Sequence, residues 1–426
     1  SGERLMFRCL LFSMLVLTSA RAQVTETYSY LHPVRDARFS RDGKSIVSVT
    51  TETEIPPRYL QAQRRDLATG KLTQILKKPV EWAHAHALSQ HGEWLATADN
   101  FSTKTRKRPA EVDIWSLKTG KRIGSFLQLP HQVKSLSISP DGRQLLICYS
   151  GVGKKKRSLR FDVWDVNARK SRILVAECRG SFPICFSPDN RTMLLPSADK
   201  PELWDAITGK RLRKPEMDQW PAAACFSPDG KDLYLTQGRR EGSYISIVHV
   251  QTGKERGRLR EASPASYSSI VVDPRGKHLI AWRWHKQGHR SSTGFGRWDL
   301  STNKSVEHAG PPSLRFQPFA FSPDGRSMLC QGGLHHRAWS IIQIVDLDEL
   351  DRLTRSKIVI PPGPTKQVVG TNQITIHPLI ARFTPDGKHL IAIIKWEYWQ
   401  PSRFARRNSP KQDYHLQIWD LEQPEK

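Results

Sequence analysis

Eight copies of a short turn motif recur along this chain, and each copy follows an apolar segment. The motif is Ser-Pro-Asp-Gly or a close variant of it. Its copies end at Gly43, Gly92, Gly142, Asn190, Gly230, Gly276, Gly325 and Gly387, with spacings of 49, 50, 48, 40, 46, 49 and 62 residues. Such a period is typical of repeat proteins, whose units bury their apolar faces against their neighbours. We therefore predict a single repeat domain over residues 23–426.

The third copy indicates what one repeat contains. An apolar strand predicted over Val133–Ile138 leads into the turn, and a second strand over Gln144–Tyr149 follows it. In the turn, Pro presets φ and Gly tolerates a positive φ. A third predicted strand, Leu159–Val166, contains a Trp-Asp pair, and a fourth covers Ser171–Ala176. Four short antiparallel strands per repeat are typical of a propeller blade.

These motifs resemble those of the WD40-repeat family, whose blades carry a Phe-Ser-Pro-Asp-Gly turn and a closing Trp-Asp pair. The resemblance covers about Val34 to Leu421. The Trp-Asp pair is intact in four copies, at Trp164, Trp204, Trp298 and Trp419. The Gly-His pair that precedes the first strand in that family is absent. The resemblance implies a divergent, bacterial-type β-propeller.

The two ends of the chain bear on the number of blades. The last copy supplies only three predicted strands before the chain stops, whereas Val24–Leu31 is a strand-like segment rich in Thr and Tyr. We predict that this segment completes the last blade from the outside and closes the ring. The predicted fold is therefore all-β, an eight-bladed β-propeller of four-stranded antiparallel blades. Seven blades is the alternative, if an irregular first or last copy does not close.

The N-terminal segment has the composition of a secretory signal peptide. Arg4 and Arg8 flank the start of the apolar run Leu10–Leu17, which is followed by the Ala20-Arg-Ala22 cleavage pattern. We predict a signal peptide over residues 1–22, for which Met6 is a natural start, and a periplasmic or extracellular protein. A buried strand is the alternative. The apolar run is too short to anchor the chain in a membrane.

Cysteine and histidine usage predicts no metal site and no cofactor. Cys185 and Cys225 hold the same position in neighbouring copies, too far apart for a disulfide, so we interpret them as small buried hydrophobic residues. His84 and His86 are two residues apart on a predicted strand and would share one face. Because no carboxylate or Cys lies at ligand spacing nearby, we interpret both as packed side chains rather than zinc ligands.

The charge of the chain is strongly positive. It has 66 Lys and Arg against 41 Asp and Glu, which gives a formal net charge of +25. Such an excess predicts an acidic partner. Export argues against genomic DNA and favours a protein partner or an anionic polymer, such as an acidic glycan or an envelope surface. We expect a monomer without a transmembrane anchor.

Basic residues concentrate in the predicted loops between second and third strands, where a rigid scaffold commonly carries its function. These loops open onto one face of the predicted propeller, and aromatic residues lie among the cations. Solvated charge without a ligand is the alternative interpretation. The candidate ligand-binding residues are Lys104, Arg106, Lys107, Arg108, Lys154, Lys155, Lys156, Arg157, Arg239, Arg240, Trp284, His285, Arg290, Arg337, Trp339, Trp399, Arg403, Arg406 and Arg407.

Motifs of common enzymes are absent from the sequence. It has no Gly-x-Ser-x-Gly, no phosphate-binding Gly-rich motif and no His-Glu-x-x-His. We therefore expect a non-catalytic propeller that binds an acidic macromolecule or a partner protein through its basic loops. One alternative is a periplasmic scaffold that recognises a protein edge or tail, with the charge incidental. Another is a periplasmic quinoprotein-like or other cofactor-binding propeller enzyme, although the Trp that follows Gly-Lys in quinoproteins is missing here.

Overall fold

A computed structural model gives the structure of most of the chain. It describes residues 24–30, 34–52, 58–80, 83–99, 110–129, 133–139, 141–150, 158–168, 170–179, 185–197, 199–238, 242–261, 266–287, 290–308, 317–333, 340–347, 357–359, 373–399 and 411–421. Among these residues, no helix has the length and apolar character needed to cross a membrane. The predicted signal peptide, residues 1–22, lies outside the described residues and stays a prediction.

In these described ranges the chain forms antiparallel sheets of four strands each. Strand β1 (Val24–Tyr30) comes first along the chain. Sheets 1 to 4 then contain β2 (Val34–Phe39), β3 (Ser45–Glu52), β4 (Arg58–Asp66), β5 (Leu72–Val80); β6 (Ala83–Leu88), β7 (Trp94–Asp99), β8 (Ala110–Ser116), β9 (Arg122–Leu129); β10 (Val133–Ile138), β11 (Gln144–Ser150), β12 (Ser158–Asp165), β13 (Lys170–Arg179); and β14 (Cys185–Phe186), β15 (Thr192–Leu195), β16 (Glu202–Asp205), β17 (Arg211–Arg213).

Four further sheets follow in the same pattern. Sheets 5 to 8 contain β18 (Ala224–Phe226), β19 (Asp232–Gln237), β20 (Tyr244–His249), β21 (Glu255–Leu259); β22 (Ser266–Val272), β23 (His278–Gln287), β24 (Arg290–Asp299), β25 (Ser305–His308); β26 (Gln317–Phe321), β27 (Ser327–Gly333), β28 (Ser340–Asp346), β29 (Lys357–Val359); and β30 (Gln373–Phe383), β31 (His389–Trp399), β32 (Lys411–Asp420), with β1 as the fourth strand of sheet 8. The predicted fold class, an all-β propeller of four-stranded antiparallel sheets, is confirmed.

The strand that completes sheet 8 comes from the other end of the chain. Strand β1 pairs with β32, from Val24 opposite Trp419 to Tyr30 opposite Tyr414. Because the order in the sheet is β1-β32-β31-β30, β1 forms the outer edge, as predicted. Closure into a ring of eight blades stays a prediction.

The chain divides into two compact units. One comprises His32–Glu307 and contains sheets 1 to 6; the other comprises Ser1–Leu31 with His308–Lys426 and contains β1 and sheets 7 and 8. The single domain predicted over residues 23–426 stays a prediction.

Antiparallel order gives each sheet two different ends. The turns from first to second strand and from third to fourth strand lie together, at what we call the turn end. The link from second to third strand lies at the opposite loop end. Each first strand also starts at the loop end: in sheet 1, Val34 pairs with Thr50, close to the end of β3. This geometry decides which side chains of a sheet can meet a common ligand.

Side-chain hydrogen bonds close the turn between first and second strands. In sheet 3, the Ser139 hydroxyl donates to Asp141 Oδ1 at 2.6 Å and accepts from the Gln144 amide at 2.9 Å. Asp141 Oδ1 accepts from the Arg143 amide at 3.0 Å, and Gly142 has a φ of 75°. Ser139 is completely buried. The motif recurs because its hydroxyl and carboxylate satisfy turn amides that the strands leave without partners.

The sixth turn satisfies the same amides with one carboxylate. Asp273 stands where the other turns have Ser or Thr. Its Oδ1 accepts from the Arg275 amide at 2.8 Å, and its Oδ2 accepts from the His278 amide at 2.7 Å. The His278 ring also bonds to Oδ2, at 3.0 Å, and burial lowers the pKa of that ring. The Val-Asp-Pro-Arg-Gly variant is therefore an equivalent turn.

Neighbouring sheets of the larger unit pack through the third-strand tryptophans. Trp164 of sheet 3 joins a buried cluster with Ile114 of sheet 2, and Trp298 of sheet 6 joins one with Ile245 of sheet 5. Two residues before each Trp stands a polar residue or Gly. In sheet 2 this residue is Asp113, which is 1% exposed and forms an ion pair with Lys78 of sheet 1. A charge buried at this position needs such a partner.

Sheet 6 fills the equivalent position in another way. Gly296 stands there, and a Cβ added to it would lie 1.8 Å from Glu261 Oε1. Glu261 follows β21 of the preceding sheet, and its carboxylate pairs with Arg283 at 3.2 Å. A carboxylate from the neighbouring segment therefore occupies the space that a third-strand side chain would need.

Replacing the turn hydroxyl tests its contribution to stability. We expect Ser139→Ala to lower the free energy of unfolding by about 1–2 kcal/mol, because it leaves the buried Gln144 amide without its acceptor. Ser139→Thr is the matched control, since Thr384 makes the same bonds in sheet 8. Urea unfolding of the full chain measures both variants. Equal losses in the two would contradict this role of the hydroxyl.

A second prediction concerns the close approach at Gly296. We expect Gly296→Ala to cost about 3 kcal/mol, because its Cβ would overlap the Glu261 carboxylate. Gly257→Ala is the control, since a Cβ there meets only Ile247 Cδ1, at 3.7 Å. Thermal unfolding should separate the two variants clearly. An unchanged midpoint for Gly296→Ala would refute the proposed packing.

Candidate functional site

Most of the predicted basic residues lie outside the described residues. The strands on either side of two basic runs are described: β7 ends at Asp99 and β8 begins at Ala110, while β11 ends at Ser150 and β12 begins at Ser158, all at the loop end. The candidate residues outside the described ranges are Lys104, Arg106, Lys107, Arg108, Lys154, Lys155, Lys156, Arg157, Arg239, Arg240, Arg337, Trp339, Arg403, Arg406 and Arg407.

Four candidate residues lie in strands, so their predicted place in loops is wrong. Trp284 and His285 belong to β23, Arg290 begins β24, and Trp399 ends β31. Pairing in sheet 6 continues until Gln287 lies opposite Arg290, because aromatic and β-branched residues favour extension of the hairpin. These residues nevertheless stand at the loop end of their sheets.

Arg283, which directly precedes the candidate residues Trp284 and His285, has a different role. It lies within β23, is buried, and forms the ion pair with Glu261. A basic residue held in this way contributes to packing and not to an accessible ligand site. Because Trp282 and Trp284 flank it, Arg283 looks in the sequence like part of one basic, aromatic loop.

The predicted shared face of His84 and His86 is also wrong. Ala83 pairs with Asp99 and Ala85 with Ala98, so His84 is the extra residue of a β-bulge. A bulge interrupts the alternation of side chains along a strand. The His86 ring is half-buried, and its burial lowers its pKa. Among the described residues, no group of three or more His, Cys, Asp or Glu side chains could hold a metal ion.

Two cysteines at equivalent positions are free thiols. Cys185 in β14 and Cys225 in β18 directly precede the Phe of their turns. Burial raises the pKa of Cys185 to about 12 and raises that of Cys225 as well. Thiols with raised pKa are poor nucleophiles and poor metal ligands near neutral pH. Both are best interpreted as packing residues.

An open cleft of about 630 Å³ lies between sheets 4 and 5. The segment after β17 forms one wall, and β21 forms another. The Lys200 ammonium donates to the Met217 carbonyl at 2.7 Å, which ties the β15–β16 link to this segment. The lining residues are Asp199, Lys200, Lys214, Pro215, Glu216, Met217, Asp218, Glu255 and Arg258.

The charges of this cleft satisfy one another. Lys214 pairs with Asp199 at 3.1 Å, and Arg258 pairs with Asp218 at 3.5 Å. Asp218 also accepts from the Tyr244 hydroxyl, whose pKa is raised to about 12, chiefly by burial. With four carboxylates against three cations, the cleft has no excess of positive charge. The cleft is therefore a junction between two sheets, held by ion pairs, and a poor match for an acidic ligand.

The described loop ends include basic residues that were not among the candidates. Arg35 in β2 and Lys134 in β10 are exposed and lie close to the starts of their strands. They were missed because they lie in first strands and not in the loops between second and third strands. Basic residues at the same offset before the turn in the first three copies, Arg35, His84 and Lys134, were the available signal.

Comparisons with known proteins give the fold and no family. No protein-family model matches this chain, and no curated protein matches it. Among solved structures, the dihydro-heme d1 dehydrogenase NirN in complex with DHE is 14% identical, with a TM-score of 0.53, and the match covers 78% of this chain and 67% of NirN. Hydrazine synthase from Kuenenia stuttgartiensis is 18% identical, with a TM-score of 0.47, over 74% of this chain and 93% of that one. A eukaryotic initiation factor is 13% identical, with a TM-score of 0.47, over 78% and 88%.

The prediction that this chain is not an enzyme is wrong, because the same propeller architecture occurs in an enzyme. NirN, which shares the propeller fold at a TM-score of 0.53, is a dehydrogenase. Apart from the quinoprotein Trp, the sequence motifs used to exclude catalysis are those of other folds, so their absence carries no weight for a propeller. The comparison with NirN establishes the fold alone, since the identity is 14%.

Proposed function

We propose that this chain is a cofactor-binding propeller enzyme that binds an anionic organic ligand at the loop ends of its sheets. The observation that carries the proposal is the concentration of basic residues at that end. Runs such as Lys154–Arg157 connect strands that end there, and Arg35 and Lys134 are exposed there. Several cations that face one region raise the local concentration of an anionic ligand.

The chemistry of the basic runs suits a carboxylate-bearing ligand. Arg binds carboxylates through two parallel N–H bonds, and Lys adds a mobile point charge. Aromatic side chains beside them offer a flat apolar surface to a ring system. A haem-type macrocycle has both properties, and the NirN structure contains the ligand DHE. This likeness supports a ring-shaped anion as the first ligand to test.

Two of the described histidines are engaged in turns. His249 bonds to Thr252 at 3.2 Å, and His278 bonds to Asp273 at 3.0 Å. Both lie at the turn end, where such bonds stabilise turns. The proposal therefore concerns the anionic groups of a ligand, and we assign no iron ligand and no redox step.

A second candidate function is the binding of an acidic polymer by the same loop ends. It is favoured by the net charge of +25, which exceeds what one small ligand needs. Under this alternative the chain is a divergent WD40-type propeller, exported after cleavage at Ala22, and a glycan or an acidic protein surface is its partner. The two candidates differ in whether a ring system adds affinity beyond charge.

Titration of the full chain with haem, followed by its absorbance spectrum, tests the proposal. We expect saturable binding, with at least tenfold weaker binding of the dimethyl ester, because esterification removes the carboxylates. The variant with Lys154, Lys155, Lys156 and Arg157 all replaced by Ala should weaken haem binding to a similar extent. Lys231→Ala is the control, since this exposed residue lies at the turn end.

The outcomes separate the two candidates. Equal binding of haem and its ester, unaffected by the fourfold variant, would contradict an anion site at the loop ends. Competition by heparin together with absent haem saturation would favour the polymer. The salt dependence of binding supplies a further check, because an electrostatic site weakens as ionic strength rises.

A further inference from the structure

A β-bulge recurs at one register of the first strands. In sheet 1, Val34 pairs with Thr50 and Asp36 with Val49, which leaves Arg35 as the extra residue. The same interruption occurs in four other sheets, and sheet 7 has a bulge two residues nearer its turn, at Phe319. The five extra residues at the shared register are Arg35, His84, Lys134, Ser268 and Leu379. Bulges bend a strand, redirect a side chain and are common beside functional sites.

The bulge itself does not require a basic residue. Ser268 and Leu379 occupy it in sheets 6 and 8. The basic residues stand in three consecutive sheets, 1 to 3, which belong to one compact unit. Because the architecture accepts polar and apolar residues at this register, the positive charge in sheets 1 to 3 calls for another explanation.

These three first strands lie side by side. Strand β2 contacts β6, and β6 contacts β10. Arg35 and Asp36 of β2 both act electrostatically on the His86 ring of β6. Burial is nevertheless the largest influence on that ring and lowers its pKa, so His86 favours its neutral form. The Arg and Lys residues at this register are Arg35 and Lys134, and His84 of sheet 2 stands between them in the order of the sheets.

Local contacts position the Arg35 side chain and balance the charge of its neighbour Asp36. Its Nε donates to Thr51 Oγ1 at 2.9 Å, and the two terminal nitrogens of the guanidinium take no part in this bond. The neighbouring Asp36 forms an ion pair with Arg38 at 3.1 Å and accepts from the Ala37 amide at 2.8 Å. Asp36 is thus balanced by Arg38, and the exposed Arg35 keeps its charge for another partner.

We propose that Arg35 and Lys134 are the two ends of a binding site for a short linear polyanion. Strand β6 lies between them, so two sheet spacings of about 10 Å each separate β2 from β10, and one isolated phosphate is too small to meet both side chains. A chain of linked phosphates or carboxylates reaches both. The inference rests on the proposed function in placing the ligand at the loop end. It adds the class of anion and the two residues that bind it.

Calorimetric titration of the full chain with inorganic tripolyphosphate tests this site, with inorganic phosphate as the size control. We expect tripolyphosphate to bind and phosphate to bind at least tenfold more weakly. Arg35→Ala and Lys134→Ala should each weaken tripolyphosphate binding about tenfold, since each removes a charge-assisted contact. Arg143→Ala is the matched control, because its side chain is 74% exposed at the turn end. Urea unfolding should show that every variant is folded under the conditions of the titration.

The results distinguish this site from the basic loops. Loss of tripolyphosphate binding in Arg35→Ala and Lys134→Ala, but not in the fourfold Lys154–Arg157 variant, supports the bulge site. Wild-type affinity in both single variants overturns it, even where haem binding to the loops persists. Equal affinity for phosphate and tripolyphosphate overturns the assignment to a linear polyanion.

Discussion

The hydrogen-bonded turn between first and second strands is the interaction on which each sheet depends. Residues such as Ser139 are buried, so their hydroxyls stand in for water at amides that would otherwise lack a partner. The turn sets the register of the first two strands, and the register decides which side chains face each neighbouring sheet. Asp273 shows that the hydrogen bonds are what the turn requires, since a carboxylate makes them where a hydroxyl is missing.

Packing between sheets imposes a second requirement, which the sheets meet in different ways. Asp113 pairs with Lys78 of the preceding sheet. At Gly296, the Glu261 carboxylate occupies the space that a side chain would need. Buried charges of this kind are costly unless they are paired. The partners come from neighbouring sheets, so the same contacts that neutralise these charges also hold successive sheets of the larger unit together.

Repeat spacing and turn chemistry were enough to predict the sheets, because both are local patterns. The pairing of β1 with β32 joins the two ends of the chain and was predicted from the missing fourth strand of the last copy. Strand ends were harder to predict. Trp284 and Trp399 looked like loop residues because they stand among cations, but pairing across the hairpin extends both strands through them. The bulge at His84 leaves no mark in hydrophobic alternation, so the sequence did not indicate it. Catalysis was excluded wrongly, because most of the motifs considered belong to other folds and the one quinoprotein motif represents a single class of propeller enzyme.

The separation of turn end and loop end links this architecture to function. Carboxylates at the turn end are engaged by turn amides and hydroxyls, which lowers the pKa of Asp42, chiefly through Ser40, and of Asp386, chiefly through Thr384. The stabilisation that they give is complete above the usual carboxyl pKa and is lost as pH falls through the lowered values. The cations at the loop end have no such structural task in the turns, and we propose that their task is to bind an anion.

Hydrogen–deuterium exchange of the full chain, with and without tripolyphosphate, tests this division most directly. The account predicts slower exchange on binding in the segments around Arg35 and Lys134, and unchanged exchange in the turn amides of Ser139–Gln144. Slower exchange confined to the turns, with none at the starts of β2 and β10, would contradict it.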